Sequence, residues 1–212
     1  MPDLPYKRII MHWTVSGEGP DAIKYDRKFY HGLILKDGSF VRAVTLPANI
    51  PLKWGLPHDY APHTASLNSW SIGLSFVGMA AGKPGVMGDL SAAQWRSGVL
   101  IAAAWAHRFG IPVQLPYDNK PKGGTEDSRG ILGHCEVESA LRIAQSGKWD
   151  PWYPMTDWPW THSQPLAITA KDLQPVHRAI GDQFRAEVAA VVARLQAGET
   201  VAMPSGFDPL AN

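Results

Sequence analysis

The sequence predicts an α/β protein in which a mixed central β-sheet is flanked by helices and followed by a C-terminal helical extension. Apolar runs of strand length alternate with segments of helical periodicity, in the order strand, helix, hairpin, strand, helix, strand. This alternation is typical of a sheet with helices on its two faces. A long periodic segment near the end of the chain follows the last strand and predicts the extension.

Short apolar runs predict five strands. In chain order they are residues 8–13, 30–36, 39–44, 71–77 and 131–134. The second and third are joined by Asp37-Gly38, which favours a hairpin because both turn residues tolerate positive φ. The long loop 45–69 separates this hairpin from the fourth strand. Loops of this length inside a compact domain usually carry function.

Periodic segments and their capping residues predict the helices. In chain order they are residues 21–29, 91–110, 138–146 and 173–197. Ser91 is the predicted N-cap of the second helix, Gly110 ends it, and Gly147 is expected to end the third. In the last helix an apolar stripe is predicted to pack on the main domain: Val188, Val191, Val192 and Leu195. The charged residues expected to stay in water are Arg185, Glu187 and Arg194.

Composition and charge limit the classes of function. The 212 residues suit one domain with an extension. A formal net charge of +1 lacks the basic footprint of a nucleic-acid-binding protein. The single cysteine excludes an intramolecular disulfide framework. No apolar run approaches the length of a membrane span, so we expect no stable membrane insertion. A separate expectation is that the protein is a monomer.

Two histidines and one aspartate form a candidate metal site. His12 and His134 each lie at the end of an apolar strand, and Asp150 precedes a proline that holds it out of helical geometry. Two imidazoles and one carboxylate would leave a fourth position open on zinc, as in catalytic zinc sites. The chain has eight histidines, so spacing alone leaves open an alternative. His12 and His134 could be hydrogen-bonded strand residues and Asp150 a turn residue.

Four motifs occur in order along residues 8–152: Ile-Met-His-Trp-Thr-Val-Ser at 10–16, Tyr-His-Gly-Leu-Ile at 30–34 followed by Asp37-Gly38, Ser-Ile-Gly-Leu at 71–74, and Gly133-His134 with Lys148-x-Asp150-Pro151. Together they resemble the zinc-dependent N-acetylmuramoyl-L-alanine amidases, which share the fold of the peptidoglycan-recognition proteins. The pattern is most similar to the bacteriophage amidase-type lysozymes, or endolysins. The resemblance implies a peptidoglycan or muropeptide substrate and a Zn²⁺ cofactor.

The same resemblance implies roles for individual residues. His12, His134 and Asp150 correspond to the metal ligands, and Asp150 stands where some relatives have cysteine. Lys148 corresponds to a lysine that stabilises the oxyanion, and Tyr30 to a tyrosine beside the zinc-bound water. The plain alternatives are a solvated surface lysine and a packed strand tyrosine.

Three further residues are predicted to contact substrate. His63 corresponds to a family histidine on the loop before the Ser-Ile-Gly strand, Asn68 follows it closely, and Trp149 adjoins Asp150. A plain loop histidine and core packing of the tryptophans are the alternatives. The neighbouring members of the tryptophan-rich segment are Trp152, Trp158 and Trp160.

One position departs from the family pattern. Many relatives carry a glutamate that assists proton transfer where this chain has Ser75, which cannot act as a general base at neutral pH. The bacteriophage branch also lacks that glutamate. His31 and Cys135 are each adjacent to a candidate site residue in sequence, so we expect their side chains to point away from the site.

The leading hypothesis is a cell-wall amidase of the endolysin type. It has residues 1–152 as catalytic core and 153–212 as an extension, with a tryptophan-rich segment, a helix packed on the core and a disordered end. The alternatives are a non-catalytic peptidoglycan-binding module and a cytosolic amidase that recycles muropeptides. The N-terminal residues lack a basic start followed by an apolar core, so we expect synthesis in the cytoplasm without a signal peptide. Action on the cell wall would follow release or delivery by other machinery.

Overall fold

The computed structural model describes residues 5–52, 55–78, 90–116, 128–145, 148, 150–152 and 174–209. Its strands are β1 (Arg8–Trp13), β2 (Gly32–Ile34), β3 (Phe40–Arg42), β4 (Ser71–Phe76) and β5 (Gly130–Gly133). Its helices are α1 (Pro20–Asp26), α2 (Ala92–Phe109), α3 (Val137–Leu141) and α4 (Gln174–Gln196), with 3-10 turns at Leu46–Asn49 and His134–Glu136. The strands form one sheet in the order β3-β2-β4-β1-β5. β2 and β3 are antiparallel and the other pairs are parallel, which confirms the predicted mixed sheet with a C-terminal helix.

β1 lies between β4 and β5, and all six of its residues are buried. Its nearly continuous apolar sequence suits a parallel strand that is covered on both faces. The register pairs Met11 with both Leu74 and Gly133, and His12 with Ser75. Because these strands are parallel, their carboxyl ends meet at one edge of the sheet, where ligand sites of α/β proteins usually form.

α2 contacts both the sheet and α4. It begins at a capping box: the Ser91 hydroxyl accepts from the Gln94 N–H at 3.0 Å, and the Gln94 side chain accepts from the Ser91 N–H at 2.9 Å. It ends at Gly110, whose φ of 61° is left-handed. Both predicted ends of this helix are confirmed. They could be predicted because serine favours the N-cap position and glycine the C-terminal position of a helix.

The hairpin and the third helix are shorter than predicted. In the hairpin only Gly38 has positive φ, at 87°, while the Leu35 N–H donates to the Ser39 carbonyl at 2.9 Å. The turn therefore holds three residues. α3 ends at Leu141 because Arg142 takes a left-handed conformation, with φ of 57°. The predicted helix 138–146 is thus wrong beyond Leu141, and Gly147 lies outside the described residues.

α4 packs through a face that the predicted stripe includes only in part. Ile180, Phe184 and Val188 are buried, and Phe184 packs edge-on against Trp95 of α2 with ring centres 5.1 Å apart. Val191, Val192 and Leu195 are partly buried against the same core. The expectation that Arg185 stays in water is wrong, because its side chain is buried against Glu136. Over the described ranges, no helix is both long and apolar enough to cross a membrane.

The segment after α4 packs against the sheet as far as the structure describes it, which differs from the loose end that we predicted. The Phe40 N–H of β3 donates to the Ser205 carbonyl at 2.8 Å. Gly206 has φ of 79° and approaches the Phe40 carbonyl so closely that a Cβ would lie 2.4 Å from its oxygen. Phe207 then packs against Phe40 and Trp105. Burial of this aromatic ring holds the segment on the outer strand.

Candidate metal centre

The sheet register brings the two predicted histidines together. His12 is the fifth residue of β1, and His134 directly follows Gly133, the β5 partner of Met11. Their rings are 4.7 Å apart between centres and nearly perpendicular. His134 is not the last strand residue that we predicted, because it opens the 3-10 turn after β5. Both side chains are buried at the carboxyl edge of the parallel strands.

Asp150, which follows α3 in the chain, lies beside the same two histidines. The N–H of Cys135 donates to the Asp150 carbonyl at 2.7 Å, which ties this segment to the 3-10 turn. Its carboxylate then lies between the two imidazoles. His12 Nδ1 is 3.2 Å from Asp150 Oδ2, and His134 Nδ1 is 3.4 Å from Asp150 Oδ1. All three side chains are buried and offer one ligand atom each within 4.8 Å of the others. We call them the candidate metal centre.

These separations fit a metal better than a pair of strong hydrogen bonds. In a tetrahedral zinc site with ligand bonds of about 2.0–2.1 Å, two ligand atoms lie about 3.3–3.4 Å apart. A charge-assisted N–H···O bond would be shorter, at about 2.7–2.9 Å. The 3.2 and 3.4 Å distances lie close to the tetrahedral value. The residues of the candidate metal centre therefore fit zinc in type and number, and each histidine nitrogen lies about one tetrahedral ligand separation from an Asp150 oxygen.

The protonation states of the site also suit a metal. Burial lowers the pKa of His12 to about 4, so its imidazole is neutral at physiological pH. Burial alone would raise the pKa of Asp150, but the adjoining His12 and His134 imidazoles outweigh it and lower that pKa below its ordinary value. A neutral imidazole and an ionised carboxylate are the forms that bind a metal.

Gln145 orients His134, a role that the sequence did not indicate. Its Oε1 lies 2.9 Å from His134 Nε2, while its amide nitrogen donates to the Ala65 carbonyl at 3.0 Å. The carbonyl of Ala65 requires a donor, so the amide orientation of Gln145 is fixed and Oε1 must face the ring. His134 Nε2 then carries the hydrogen, and Nδ1 presents its lone pair towards Asp150. This contact also explains why residues 142–145 leave the helix.

His63 lies on the side of His12 opposite Asp150. Its Nδ1 is 3.2 Å from His12 Nε2 and 2.9 Å from the hydroxyl of Thr64. The ring is buried against Gly73, where a Cβ would meet it at 2.6 Å. His63 and Thr64 therefore fix the orientation of the His12 ring from behind. A contact between His63 and substrate stays a prediction.

Tyr30 and Ser75 line the site beside His12. The Tyr30 ring centre is 5.3 Å from that of His12, and its hydroxyl lies 3.4 Å from the Trp13 carbonyl. Burial, then the Asp150 charge, raise the pKa of Tyr30, so the phenol is protonated at neutral pH. The nearby Ser75 hydroxyl has a smaller, opposite effect on the pKa of Tyr30. This hydroxyl is buried and has no hydrogen-bond partner among the described residues. Since Ser75 pairs with His12 in the sheet, no carboxylate occupies that position.

Of the remaining predicted site residues, the structure describes Lys148 and Asn68 but not Trp149. Lys148 is exposed, and its positive charge is close enough to contribute to the lowered pKa of His12. Asn68 is partly exposed, and its side-chain oxygen accepts from the Thr64 N–H at 2.8 Å, so it shapes the loop behind His12. Trp149, Trp158 and Trp160 lie outside the described residues. Substrate contacts of Asn68 and Trp149 stay predictions.

The two residues expected to point away from the site are both buried. Cys135 packs in the main core, where burial raises the pKa of its thiol well above the usual value. A protonated core thiol is unsuited to nucleophilic catalysis. His31 accepts a hydrogen bond from the Gly73 N–H at 2.9 Å, and burial lowers its pKa to about 3. This histidine connects β2 to β4 on the far side of His63.

Acidification is expected to destabilise the metal-free protein. Burial lowers the pKa values of His12 and His31 to about 4 and about 3, and that of His63 well below 6.5. Below about pH 6.5 the unfolded chain binds protons that the folded chain does not, so stability must fall with pH. Above that pH both states are neutral at these rings and the effect vanishes. Urea midpoints measured with chelator should therefore change little between about pH 7 and pH 8 and should fall towards pH 4.

His31→Gln should reduce this pH dependence, whereas His107→Gln, at an exposed position of α2, should leave it unchanged. Equal urea midpoints at pH 5 and pH 7 in the parent protein would contradict the burial of neutral imidazoles.

Comparison with known proteins gives one family and a few remote structures. Residues 2–153 match the family model described as N-acetylmuramoyl-L-alanine amidase. The comparison with curated proteins gives no match. Among solved structures, N-acetylmuramoyl-L-alanine amidase LysC from Clostridium intestinale URNW is 17% identical, with 64% of this chain and 74% of that chain covered and a TM-score of 0.40. PGRP-SA from Apis mellifera is 21% identical, with 63% and 73% covered and a TM-score of 0.39.

Proposed function

Because this chain belongs to the N-acetylmuramoyl-L-alanine amidase family, we propose that it is a zinc-dependent enzyme that hydrolyses the amide bond between N-acetylmuramic acid and L-alanine in peptidoglycan. The observation that carries the proposal is the buried His12, His134 and Asp150 set, whose three ligand atoms lie within 4.8 Å of one another. A complete ligand set favours an enzyme over a binding module that has lost its metal.

His12, His134 and Asp150 would hold the ion, and neighbouring side chains contact the far nitrogens of both histidines. His63 and Thr64 contact the far nitrogen of His12, and Gln145 that of His134. When bound, zinc would polarise the amide carbonyl and lower the pKa of a water nucleophile to about 7. Its three protein ligands leave a position open for that chemistry, as catalytic zinc sites do.

Lys148 and Tyr30 would act on the charges that develop during hydrolysis. Attack on a planar amide places negative charge on the former carbonyl oxygen, where a fixed cation or hydrogen-bond donor lowers the barrier. Lys148 carries the required charge close to His12. Tyr30 lies beside His12, and its protonated phenol can donate a hydrogen bond. With Ser75 opposite His12, a side-chain carboxylate base at that strand position is ruled out.

The residues favour cleavage of an amide over a glycosidic bond. Glycosidases usually place two carboxylates across the sugar bond. The candidate metal centre holds one carboxylate, Asp150, whose two oxygens face the histidines. Family membership, and not the residues alone, selects the lactyl–L-alanine amide among the amides of peptidoglycan. We propose that the protein acts as a monomer of the endolysin type on the cell wall, after release or delivery from the cytoplasm.

Digestion of purified sacculi tests which bond is cut. We expect the release of peptides with new L-alanine amino termini and no increase in reducing sugar ends. The enzyme inactivated by a chelator is the matched control and should release neither. New reducing ends without new amino termini would overturn the amidase assignment, and new D-amino-acid termini would indicate an endopeptidase. Activity on soluble muropeptides but not on sacculi would favour the recycling role instead.

A further inference from the structure

The carboxylate of Glu136 lies directly behind the candidate metal centre and is almost fully buried. Its Oε2 accepts hydrogen bonds from the Gly133 N–H at 2.8 Å and from the Trp152 indole N–H at 2.6 Å. Gly133 immediately precedes His134, and Trp152 follows Asp150 by two residues. One carboxylate therefore fixes the two segments that deliver two of the three candidate metal ligands.

α4 supplies the charge that balances this carboxylate. Arg185 donates from Nη1 to Glu136 Oε2 at 2.9 Å and from Nη2 to Oε1 at 2.8 Å, which forms a two-pronged ion pair. Nη1 also donates to the Ile131 carbonyl of β5 at 3.1 Å. Asp182, one turn earlier, accepts from Nη2 at 2.7 Å and holds the guanidinium from the solvent side. Two-pronged arginine–carboxylate pairs define orientation as well as energy.

The surface of α4 is shaped to receive Glu136. A Cβ at Gly181 would lie 2.6 Å from Glu136 Oε1, so the helix can approach the carboxylate because this residue is glycine. On the other side of Glu136, a Cβ at Gly133 would lie 2.3 Å from the Trp152 indole nitrogen. Two glycines thus permit the close packing of helix, carboxylate and indole. Substitution at either would displace a group adjoining a candidate ligand.

Stability alone does not account for this buried ion pair. The loss of solvation on burial offsets much of the attraction between two such charges, and apolar residues of similar volume are often at least as stabilising. α4 is already anchored by Phe184, which packs against Trp152 and Trp95 with ring centres 4.9 and 5.1 Å apart. What the pair adds is a fixed position for the Glu136 carboxylate, and with it the Gly133 peptide and the Trp152 indole.

We infer that Arg185 is a positioning residue for the candidate metal centre: acting through Glu136, it fixes the segments that carry His134 and Asp150 in the geometry that binds zinc. The inference rests on the proposed zinc site. It extends that site into α4, which lies beyond residues 2–153 matched by the family model. The C-terminal helix is then part of the support of the metal centre as well as of the core.

The test is the zinc affinity of the full-length protein, measured by competition with a chromophoric chelator at a temperature where every metal-free variant is folded by circular dichroism. Arg185→Met should bind zinc about 10–100-fold more weakly, the range found when groups that orient metal ligands are removed. The visible spectrum of the cobalt-substituted variant should also change, because the ligand geometry is altered. The matched control is Arg194→Met, on the same helix, where the arginine pairs with Glu199 at the surface. Its zinc affinity should equal that of the parent.

Arg185→Lys keeps the buried charge but loses the two-pronged contact, so it should fold and show a smaller loss of affinity. It decides the matter if Arg185→Met does not fold. A lower melting temperature with unchanged zinc affinity and cobalt spectrum, in the folded variants, would overturn the inference and leave Arg185 a structural residue. A parent protein that binds no zinc would overturn the proposed function itself, and with it this inference.

Discussion

Replacing Asp150 by alanine is expected to abolish zinc binding and to lower amidase activity by about 10³-fold or more, since the metal would lower the barrier by several kcal/mol. Asp150 is the only carboxylate of the candidate metal centre, and both of its oxygens face imidazoles. Without Asp150 the two remaining ligands are imidazoles, of which His12 is neutral. Neither carries a negative charge to balance the charge of a divalent ion. Zinc content by elemental analysis and the release of amino termini from sacculi measure the two effects.

Two further variants separate the loss of a ligand from a general defect. Asp150→Cys offers a thiolate, which zinc accepts readily, and should recover zinc binding in part. Asp21→Ala removes an exposed carboxylate in the first turn of α1 and should leave both zinc content and activity unchanged. An Asp150→Ala protein with one zinc per chain and normal activity would exclude Asp150 as a ligand.

Replacing Lys148 by alanine is expected to lower kcat by about 10²-fold or more while the zinc content stays the same, the effect typical of losing an oxyanion donor. Lys148 is exposed and makes its effect through charge, so the fold should not depend on it. The comparison is Lys24→Ala, which removes an exposed ammonium from α1 and should leave kcat unchanged. Parental kcat in zinc-loaded Lys148→Ala would make Lys148 a surface residue.

The parts of the site that could be predicted from the sequence are those that local pattern determines. His12 ends an apolar run that is buried as a central parallel strand, and His134 follows another such run. Because β1 and β5 are adjacent and parallel, their carboxyl ends meet and bring the two histidines together. The helix bounded by Ser91 and Gly110 was predictable for a similar reason, because caps act on the backbone next to them.

The parts that sequence could not predict depend on contacts between distant residues. The third helix ends early because Gln145 turns towards His134 and the Ala65 carbonyl, which lies 80 residues away. Arg185 looks like a solvated helix residue until Glu136, 49 residues earlier, is placed beneath it. Helical periodicity cannot predict that Arg185 is buried, because the same arginine on the same helix would be exposed if Glu136 were absent.

The end of the chain shows the same limit. Residues 201–209 are rich in the small and turn-forming types that suggest a loose end. Their order comes from Phe207, which enters the core beside Phe40 and Trp105, and from the Ser205 carbonyl that pairs with β3. A single buried aromatic ring and one strand hydrogen bond decide the outcome, and neither has a distinctive sequence pattern.

The most direct test of zinc-dependent amidase activity is a metal titration of the chelated protein. Peptide release from sacculi should be negligible without metal, rise in proportion to added zinc, and saturate at about one equivalent per chain, as expected for a single three-ligand site. The new amino termini should be L-alanine throughout the titration. Full activity in the chelated protein, or saturating zinc binding with no peptide release, would contradict the account.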